Sequence, residues 1–375
     1  MVLGRLPLLA LLTGVFAGSV MLLAGCSESP PVTECVPAID PDCETPDPGE
    51  DEVVAGVNLT DLFETPTAPE SDAALAIGVS ATDGEPTVTE LRAAADGSRQ
   101  FLLAYDFEGE RIVTALARVP QGVGATTRLP TVLVLTDGTD GASEADLLTA
   151  AGFGFLVDNA VQVVMAYRGE PLVVGGDAAR SQFEPDPYRA DVGDVRAILG
   201  VIDRVPRTDP SRLGLVGVGR GGTVALLAAV RGASVSAVVA LGAPTDLFAD
   251  SFRGEVRSRL LGTTPANPYP ALDALAAPAF ALRDGTLDLE GARLALTRLS
   301  PARLRPNDRL PAILALHAAG DPVVGEDQLT SLDAALTSSA ARPRITEIVD
   351  DVTREGLMAN GTVQGRIAAF LAAEL

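Results

Sequence analysis

A glycine-rich stretch between two apolar runs constrains this chain more than any other part of its sequence. The stretch Arg212–Gly232 reads RLGLVGVGRGGTVALLAAVRG. Residues 213–216 form a short, mainly apolar run, and Thr223–Val230 is an alanine, leucine and valine segment typical of a buried helix. Gly232 then suits the left-handed position that closes a helix. The pattern predicts a strand, a sharp turn and a helix, with close backbone approach at the turn.

One functional motif with this layout is the nucleophile elbow, G-x-S-x-G. Its serine sits on a strained turn between a strand and a helix, with the hydroxyl group exposed. Residues 217–221 keep the glycine frame of the motif. Gly219, however, stands where the serine belongs, so the frame is present without its nucleophile.

A second motif, the dinucleotide fingerprint G-x-G-x-x-G, is matched by Gly217, Gly219 and Gly222. That fingerprint also requires an acidic residue about 20 positions later, at the end of the next strand. Here the next strand pattern, Ala237–Leu241, ends in Leu-Gly-Ala-Pro. We therefore expect no dinucleotide and no other cofactor.

The first 25 residues predict an export signal. Arg5 is the single charge before an apolar run that ends in Leu-Ala-Gly-Cys. This ending resembles the lipobox of bacterial lipoproteins, which implies cleavage before Cys26 and lipidation of that cysteine. A plain membrane anchor and an ordinary secretory signal are the alternatives. Ser27 resembles the sorting signal for the outer membrane, so we expect a lipid-anchored protein of the bacterial cell envelope, with the membrane as one partner.

Residues 26–57 predict an acidic, proline-rich tether. The segment has many carboxylates and no basic residue, so it buries too little apolar surface to offset the entropy of ordering. Its Cys35 and Cys43 are the only cysteines besides Cys26. In an oxidising envelope they could form a disulfide, and two free thiols are the alternative. With no histidine nearby, we do not expect a metal site.

Residues 58–375 have the composition of one globular domain that can bury a substantial core. The chain has a formal charge of −22, and its 28 basic residues are all arginine. An acidic chain without a basic stripe repels nucleic acid, so we exclude nucleic acid as a partner. The lack of lysine also excludes a serine–lysine dyad.

Apolar runs that alternate with helical patterns predict an α/β fold. Strand patterns lie at 100–105, 111–119, 131–135, 162–167, 237–241, 312–317 and 345–349, besides the glycine-rich stretch. Helical patterns lie at 143–151, 188–205 and 361–373. The alternation predicts a mostly parallel, doubly wound sheet with helices on both faces. Residues 246–309 interrupt it and predict a small helical cap or a long insertion.

Several short motifs carry a resemblance to a known family. They are Tyr-Arg-Gly at 167–169, Asp-Val-Arg at 194–196, Asp-Pro-Ser-Arg at 209–212, Pro-Thr-Asp at 244–246, Leu-Ser-Pro at 299–301, and residues 316–328. From about residue 99 onward the chain resembles an α/β-hydrolase domain, most closely the catalytic domain of the prolyl oligopeptidase and dienelactone hydrolase group. The resemblance implies an α/β-hydrolase fold and a catalytic serine, acid and histidine in that chain order.

The positions that match this triad are only partly filled. Gly219 stands at the nucleophile position, whereas Asp321 matches the acid. Thr353 or Arg354 occupies the place of the catalytic histidine, in the loop after the last strand. His317, the single histidine, matches a structural histidine of the family; as a catalytic base it would have the wrong position and order. We therefore expect Asp321 to act only in shaping its own loop.

The oxyanion region, which we assign to Asp137, Gly138 and Arg220, also departs from the family pattern. The family commonly has His-Gly after the strand at 131–135, and here Thr-Asp-Gly follows. A carboxylate at Asp137 would place negative charge near the developing oxyanion, which opposes acyl transfer.

These departures favour a membrane-tethered pseudo-hydrolase that binds a small molecule or a protein partner in the old cleft. One alternative is an active esterase or peptidase with rearranged groups, for example Ser211 or Thr223 as nucleophile. Neither residue is aimed at the pocket in the geometry of the family. Another alternative is a purely structural envelope lipoprotein.

Overall fold

A computed structural model describes most of the chain after residue 50. The described residues are 51–78, 83–91, 93–94, 96–124, 126–147, 154–263, 271–304, 310–337, 342–354 and 356–375. The predicted export signal and the three cysteines, Cys26, Cys35 and Cys43, lie outside them. Within these ranges no helix has the length and apolar character that spanning a bilayer requires.

The described elements alternate between strands and helices along the chain. The strands are β1 (Val53–Val54), β2 (Val57–Asn58), β3 (Asp83–Glu90), β4 (Arg99–Phe107), β5 (Glu110–Val119), β6 (Leu129–Leu135), β7 (Ala142–Ser143), β8 (Val161–Met165), β9 (Leu172–Val174), β10 (Asp177–Ala179), β11 (Thr208–Val218), β12 (Ala237–Leu241), β13 (Ala312–Ala318) and β14 (Arg344–Val349). The helices are α1 (Leu59–Leu62), α2 (Ala68–Ala76), α3 (Gly154–Asn159), α4 (Arg189–Leu199), α5 (Arg220–Val230), α6 (Asp250–Leu260), α7 (Ala271–Arg283), α8 (Leu289–Arg298), α9 (Glu326–Thr337) and α10 (Gly361–Glu374).

One large sheet organises the described residues. Its nine strands have the order β14-β13-β12-β11-β6-β8-β5-β4-β3. The strands from β14 to β8 pair in parallel, and β5, β4 and β3 extend the sheet in antiparallel fashion. Every residue of β6, β8, β12 and β13 is buried, as expected of strands that are covered on both faces. The carboxyl ends of the parallel strands meet at one edge, where the candidate site lies.

Alternate residues of the central strands belong to two separate cores. Leu133 and Leu135 of β6 pack in the cluster that includes buried residues of α4 and α5. Val132 and Val134 pack in the cluster that includes Leu156 of α3 and residues of α10. Because side chains alternate across a strand, this division places helices on both faces of the sheet. The predicted mostly parallel, doubly wound architecture is confirmed.

Two predicted helices differ from the structure. The segment 143–151 was predicted as one helix, but its described part continues from β7 into a short 3₁₀ turn, Glu144–Asp146. The Asp146 carboxylate accepts hydrogen bonds from the amide and hydroxyl of Ser143, which fixes this tight turn. The helix predicted at 188–205 ends at Leu199, and a 3₁₀ turn at Ile202–Arg204 follows.

The described part of the interruption predicted at 246–309 is mainly helical, and it packs against the start of the domain. Helices α6, α7 and α8 form it. On α8, Arg293 donates to the Glu70 carboxylate at 2.8 Å and to the Asp61 and Glu64 carbonyls at 2.7 and 2.9 Å. Phe63 packs edge-to-face against two phenylalanines of the insertion, Phe248 and Phe252. The first helices therefore hold the insertion in place.

The folded domain begins earlier than the sequence indicated. Residues 51–57, which we assigned to the tether, form the β1–β2 hairpin and belong to the compact unit Asp51–Leu375. Val54 and Val57 are buried, and Glu52 forms ion pairs with Arg253 and Arg257 of α6. The domain boundary at residue 58 was therefore seven residues too late, because Glu52 is an ion-pair partner and not a solvated charge.

Replacement of Val57 with alanine tests this boundary. Val57 is 1% exposed, whereas Val53 in the same hairpin is 59% exposed. We expect V57A to lower the free energy of unfolding by about 2 kcal/mol, since it leaves a cavity. We expect V53A to change it by no more than about 0.5 kcal/mol. Urea unfolding of the two variants measures both, and equal effects would mean that the hairpin is not part of the fold.

Candidate functional site

The glycine-rich turn lies at the carboxyl end of β11. Gly219 has φ +50° and ψ −114°, a conformation that other residues rarely adopt, and its amide donates to the Leu241 carbonyl at 2.7 Å. A Cβ at Gly217 would lie 2.2 Å from the carbonyl carbon of Gly221. A Cβ at Gly221 would lie 2.2 Å from the Leu135 carbonyl oxygen. Backbone packing alone therefore requires the outer glycines of the motif, with or without a nucleophile between them.

The space that a nucleophile would need is filled by charged groups. A Cβ at Gly219 would lie 1.8 Å from Oδ1 of Asp137 and 2.4 Å from Nη2 of Arg354. Both distances are far below van der Waals contact, so no side chain fits unless both neighbours move. The nucleophile position has no side chain of its own, and the side chains of Asp137 and Arg354 fill its space.

Asp137 also takes the hydrogen-bond donor that an oxyanion would need. In a nucleophile elbow, the residue after the nucleophile supplies a backbone N–H to the oxyanion. That residue is Arg220, and its amide donates to Oδ1 of Asp137 at 2.8 Å. A carboxylate in this place uses the donor and repels developing negative charge. The sequence analysis placed Asp137 in the oxyanion region. In the structure its carboxylate accepts the hydrogen bond of the Arg220 amide.

Arg354 joins the positions that match the triad and the oxyanion region. Its side chain is 4% exposed. Nη2 donates to Oδ2 of Asp137 at 3.0 Å, and Nη1 donates to the Gly242 carbonyl at 2.6 Å and to Oδ2 of Asp321 at 3.4 Å. Of the two residues proposed for the histidine position, Arg354 points into the site. Thr353 is exposed, and its hydroxyl accepts a hydrogen bond within its own loop.

Asp321 shapes the loop after β13. Its Oδ1 accepts hydrogen bonds from the amides of Val323 and Val324 at 2.8 and 3.0 Å. Its side chain is fully buried, and its other carboxylate oxygen faces Arg354. The residue at the acid position therefore neutralises a guanidinium instead of orienting an imidazole.

His317 is a buried residue of β13 with no catalytic geometry. It is 1% exposed, and its Nδ1 has no hydrogen-bond partner in the described part of the chain. Burial lowers the pKa of His317 to about 4, against the opposing effects of the Asp321 carboxylate and a hydrogen bond to the Ala243 backbone. The imidazole is neutral near pH 7, and burial keeps it from a substrate.

The alternative nucleophiles are directed elsewhere. The buried hydroxyl of Thr223 lies 2.6 Å from the Pro244 carbonyl oxygen and 3.3 Å from that of Gly219, so backbone acceptors hold it. Ser211 is exposed and donates to Oδ1 of Asp209 at 2.6 Å. It precedes Gly219 by eight residues along β11, or roughly 25 Å of extended chain. Ser211 is therefore too far from the turn to attack a substrate there, and burial keeps the Thr223 hydroxyl from one.

The Arg220 side chain is part of the scaffold. It is 1% exposed, forms two hydrogen bonds with Asp191 at 2.8 and 2.9 Å, and donates to Glu170 at 2.5 Å and to the Gly138 carbonyl at 3.0 Å. Its guanidinium also lies 4.2 Å from the centre of the Tyr167 ring. Burial raises the pKa values of Asp191 and Glu170, and Arg220 opposes the shift. The sequence analysis missed both carboxylates; an arginine at the start of an apolar helix was the available sign that buried partners exist.

The described ranges contain no group of three or more histidine, cysteine, aspartate or glutamate side chains that could hold a metal ion. The site consists instead of fixed ion pairs between arginine and carboxylates. The charged groups hydrogen-bond to one another and to backbone groups at the carboxyl edge of the sheet.

Comparison with known proteins agrees on the fold. No protein-family model and no curated protein matches the sequence. Among solved structures, acetyl xylan esterase 1 from Thermoanaerobacterium sp. JW/SL YS485 superposes with a TM-score of 0.56 at 16% identity, over 84% of this chain and 98% of the esterase. Acetyl xylan esterase from Paenibacillus sp. R4 gives a TM-score of 0.55 at 16% identity, over 84% of this chain and 99% of the esterase. The chain has the α/β-hydrolase fold.

Removal of His317 should change the acid sensitivity of the fold. Because its folded pKa of about 4 lies below the usual 6.5, the unfolded chain binds more protons between these values. Wild-type stability should fall as the pH drops through this interval, with a loss that approaches about 3 kcal/mol near pH 4. H317Q should lack this component. Urea unfolding of both proteins from pH 7 to 4 tests it, and parallel pH profiles would contradict the assigned pKa.

Loss of Arg354 should destabilise the domain, because two carboxylates would lose their cationic partner. We expect R354M to lower the free energy of unfolding by about 3 kcal/mol, because Asp137 and Asp321 lose their cation. D137N should cost less in the R354M background than in the wild type, since the two residues interact directly. A double-mutant cycle measured by urea unfolding gives the coupling. Additive effects would show that the ion pair contributes nothing.

Proposed function

We propose that this protein is an α/β-hydrolase-fold protein that has lost hydrolysis and acts by binding a ligand or a protein partner. One observation carries the proposal: the ion pair of Asp137 and Arg354 fills the nucleophile space, the oxyanion donor and the histidine position together. The same charged groups that stabilise this edge of the sheet exclude a substrate carbonyl from it.

The expected loss of catalysis is large because three contributions are removed together. A missing nucleophile abolishes the covalent route, which needs an activated hydroxyl or thiol. General base catalysis contributes about 10²–10⁴-fold, and one oxyanion donor about 10²–10³-fold. Water attack on a substrate at this site would have none of these aids.

An active esterase or peptidase with rearranged groups is the main alternative. The solved structures of similar fold include proteins whose names record esterase activity, which gives this alternative its basis. Ser211 and Thr223 do not support it, because Ser211 lies eight residues before Gly219 and the Thr223 hydroxyl is buried and donates to backbone carbonyls. A purely structural lipoprotein is the second alternative, and a protein that binds no ligand would favour it.

The proposed location is the bacterial cell envelope, most specifically the outer membrane. The support is the lipobox-like ending at Cys26, with Ser27 after it, and the acidic segment that follows. A lipid on Cys26 would hold the folded domain near the membrane through this segment. Its excess of carboxylates argues against nucleic acid as a partner.

Hydrolysis assays test the proposal directly. The purified chain should neither turn over activated esters and peptides nor react with a fluorophosphonate. G219S should remain inactive, because the new side chain meets Asp137 and Arg354 and has no base to activate it. Wild-type turnover that is lost in D321N or H317Q would mean that an active site exists here and that the proposal is wrong.

A rebuilt site is the matched control for that assay. The triple variant G219S/D137G/R354H restores a hydroxyl, frees the Arg220 amide and places an imidazole next to Asp321. Weak esterase activity in this variant, and in neither G219S nor the wild type, is expected if the ion pair is what blocks catalysis. A rebuilt site that folds and stays inactive would show that further determinants of hydrolysis are missing.

A further inference from the structure

A cleft with unusual charge lies apart from the glycine-rich turn. Residues from α4, α5 and the end of α8 line it, and its volume is about 410 Å³. This volume is within the range of about 300–1,000 Å³ typical of ligand sites. Phe107, Phe183 and Leu299 give it an apolar wall, and Arg231 and Arg298 are among its cations.

Arg298 is an unneutralised cation in this wall. It is the last residue of α8, and its Nε is buried without a hydrogen-bond partner among the described residues. Across the described ranges its guanidinium forms no ion pair. Burial and the nearby Arg189 lower the pKa of Arg298, and only Asp186 opposes them. Asp186 itself is paired with Arg189 at 3.1 Å.

Arg231 adds a second cation without a carboxylate partner among the described residues. Its Nη1 donates to the carbonyls of Leu75 and Ile77, and its Nη2 donates to the carbonyls of Ala74 and Arg298 at 3.3 Å each. These dipoles hold the side chain without cancelling its charge. Burial lowers the pKa of Arg231, and repulsion from Arg298 and Arg196 lowers it further.

The other arginines of the cleft have carboxylate partners, whereas Arg298 and Arg231 have none in the described structure. Arg168 pairs with the buried Asp194 at 2.5 Å, and Arg189 pairs with Asp186. The whole chain has 50 carboxylate residues and 28 arginines, so a shortage of acids does not explain the imbalance. Two adjacent, partly buried guanidiniums without a counter-ion are costly unless an anion joins them.

We propose that this cleft binds a small carboxylate with an apolar body. The carboxylate would lie against Arg298 and Arg231, and its hydrocarbon against Phe107, Phe183 and Leu299. Arginine recognises a planar carboxylate through paired N–H donors. A ligand with one negative charge is favoured over a dianion, because the exposed acidic residues Glu108 and Glu184 also line the cleft.

This inference deepens the binding part of the proposed function, since it names the ligand class. It does not depend on the Asp137–Arg354 ion pair, because neither residue lines the cleft. A failure of carboxylate binding would leave the absence of hydrolysis untouched, and an active hydrolase could still bind a carboxylate here. A negative result in the binding experiment therefore leaves the loss of hydrolysis as proposed, and a positive hydrolysis assay leaves carboxylate binding as proposed.

Calorimetric titration of the full chain with octanoate tests the inference, with neutral octanamide as the matched ligand. We expect saturable octanoate binding, and at least about tenfold weaker binding of octanamide, which lacks the charge. R298Q should weaken octanoate binding by a similar factor. R283Q is the control variant, because Arg283 also ends a helix but is exposed and paired with Asp284 outside the cleft.

Urea unfolding of R298Q without ligand separates binding from folding. Arg298 makes no side-chain hydrogen bond in the described structure, so R298Q should be at least as stable as the wild type. Loss of octanoate binding in this stable variant, with binding kept in R283Q, supports the site. Absent octanoate binding to the wild type, equal binding of octanamide, or equal losses in R298Q and R283Q would overturn it.

Discussion

The contact between Arg354 and Asp137 determines what the carboxyl edge of this sheet can do. A guanidinium with 4% of its side chain exposed needs several partners, and Arg354 finds Asp137, Asp321 and the Gly242 carbonyl. These groups follow β6, β13 and β12, so one side chain fastens three loops together. The positions that match the triad instead hold a network of ion pairs and hydrogen bonds. A side chain at position 219 would need the space that Asp137 and Arg354 fill.

Buried and partly buried arginines of the described structure have two kinds of environment. Arg220 and Arg168 are enclosed by carboxylates and aromatic rings, which suits permanent parts of a scaffold. Arg231 and Arg298 are held by backbone dipoles or by nothing polar within the described structure, and they face a cleft. The first kind belongs to the scaffold, and the second leaves an unbalanced charge in the wall of the proposed ligand cleft. The proposed ligand cleft therefore lies apart from the positions that match the triad.

Local patterns were sufficient for the fold but not for the site. The glycine frame and the buried strands predicted the sheet, because each depends on residues close in sequence. The Asp137–Arg354 contact joins positions 217 residues apart, so separate examination of the two loops showed only unusual residues. The domain boundary failed for the same reason, because the partners of Glu52 lie about 200 residues away in α6. The opposite charges of Asp137 and Arg354, at two positions that depart from the family pattern, were the signal that could have linked these two loops.

The crowding around Gly219 also bears on the direction of evolutionary change. On the proposed function, a change from serine to glycine at this position would relax a strained backbone and open room for the ion pair. The return path needs the side chain, the cleared oxyanion donor and the base to appear together, since a serine alone collides with both charged groups. On the proposed function such a change would be hard to reverse, because each single step back disturbs the Asp137–Arg354 pair without supplying a complete site.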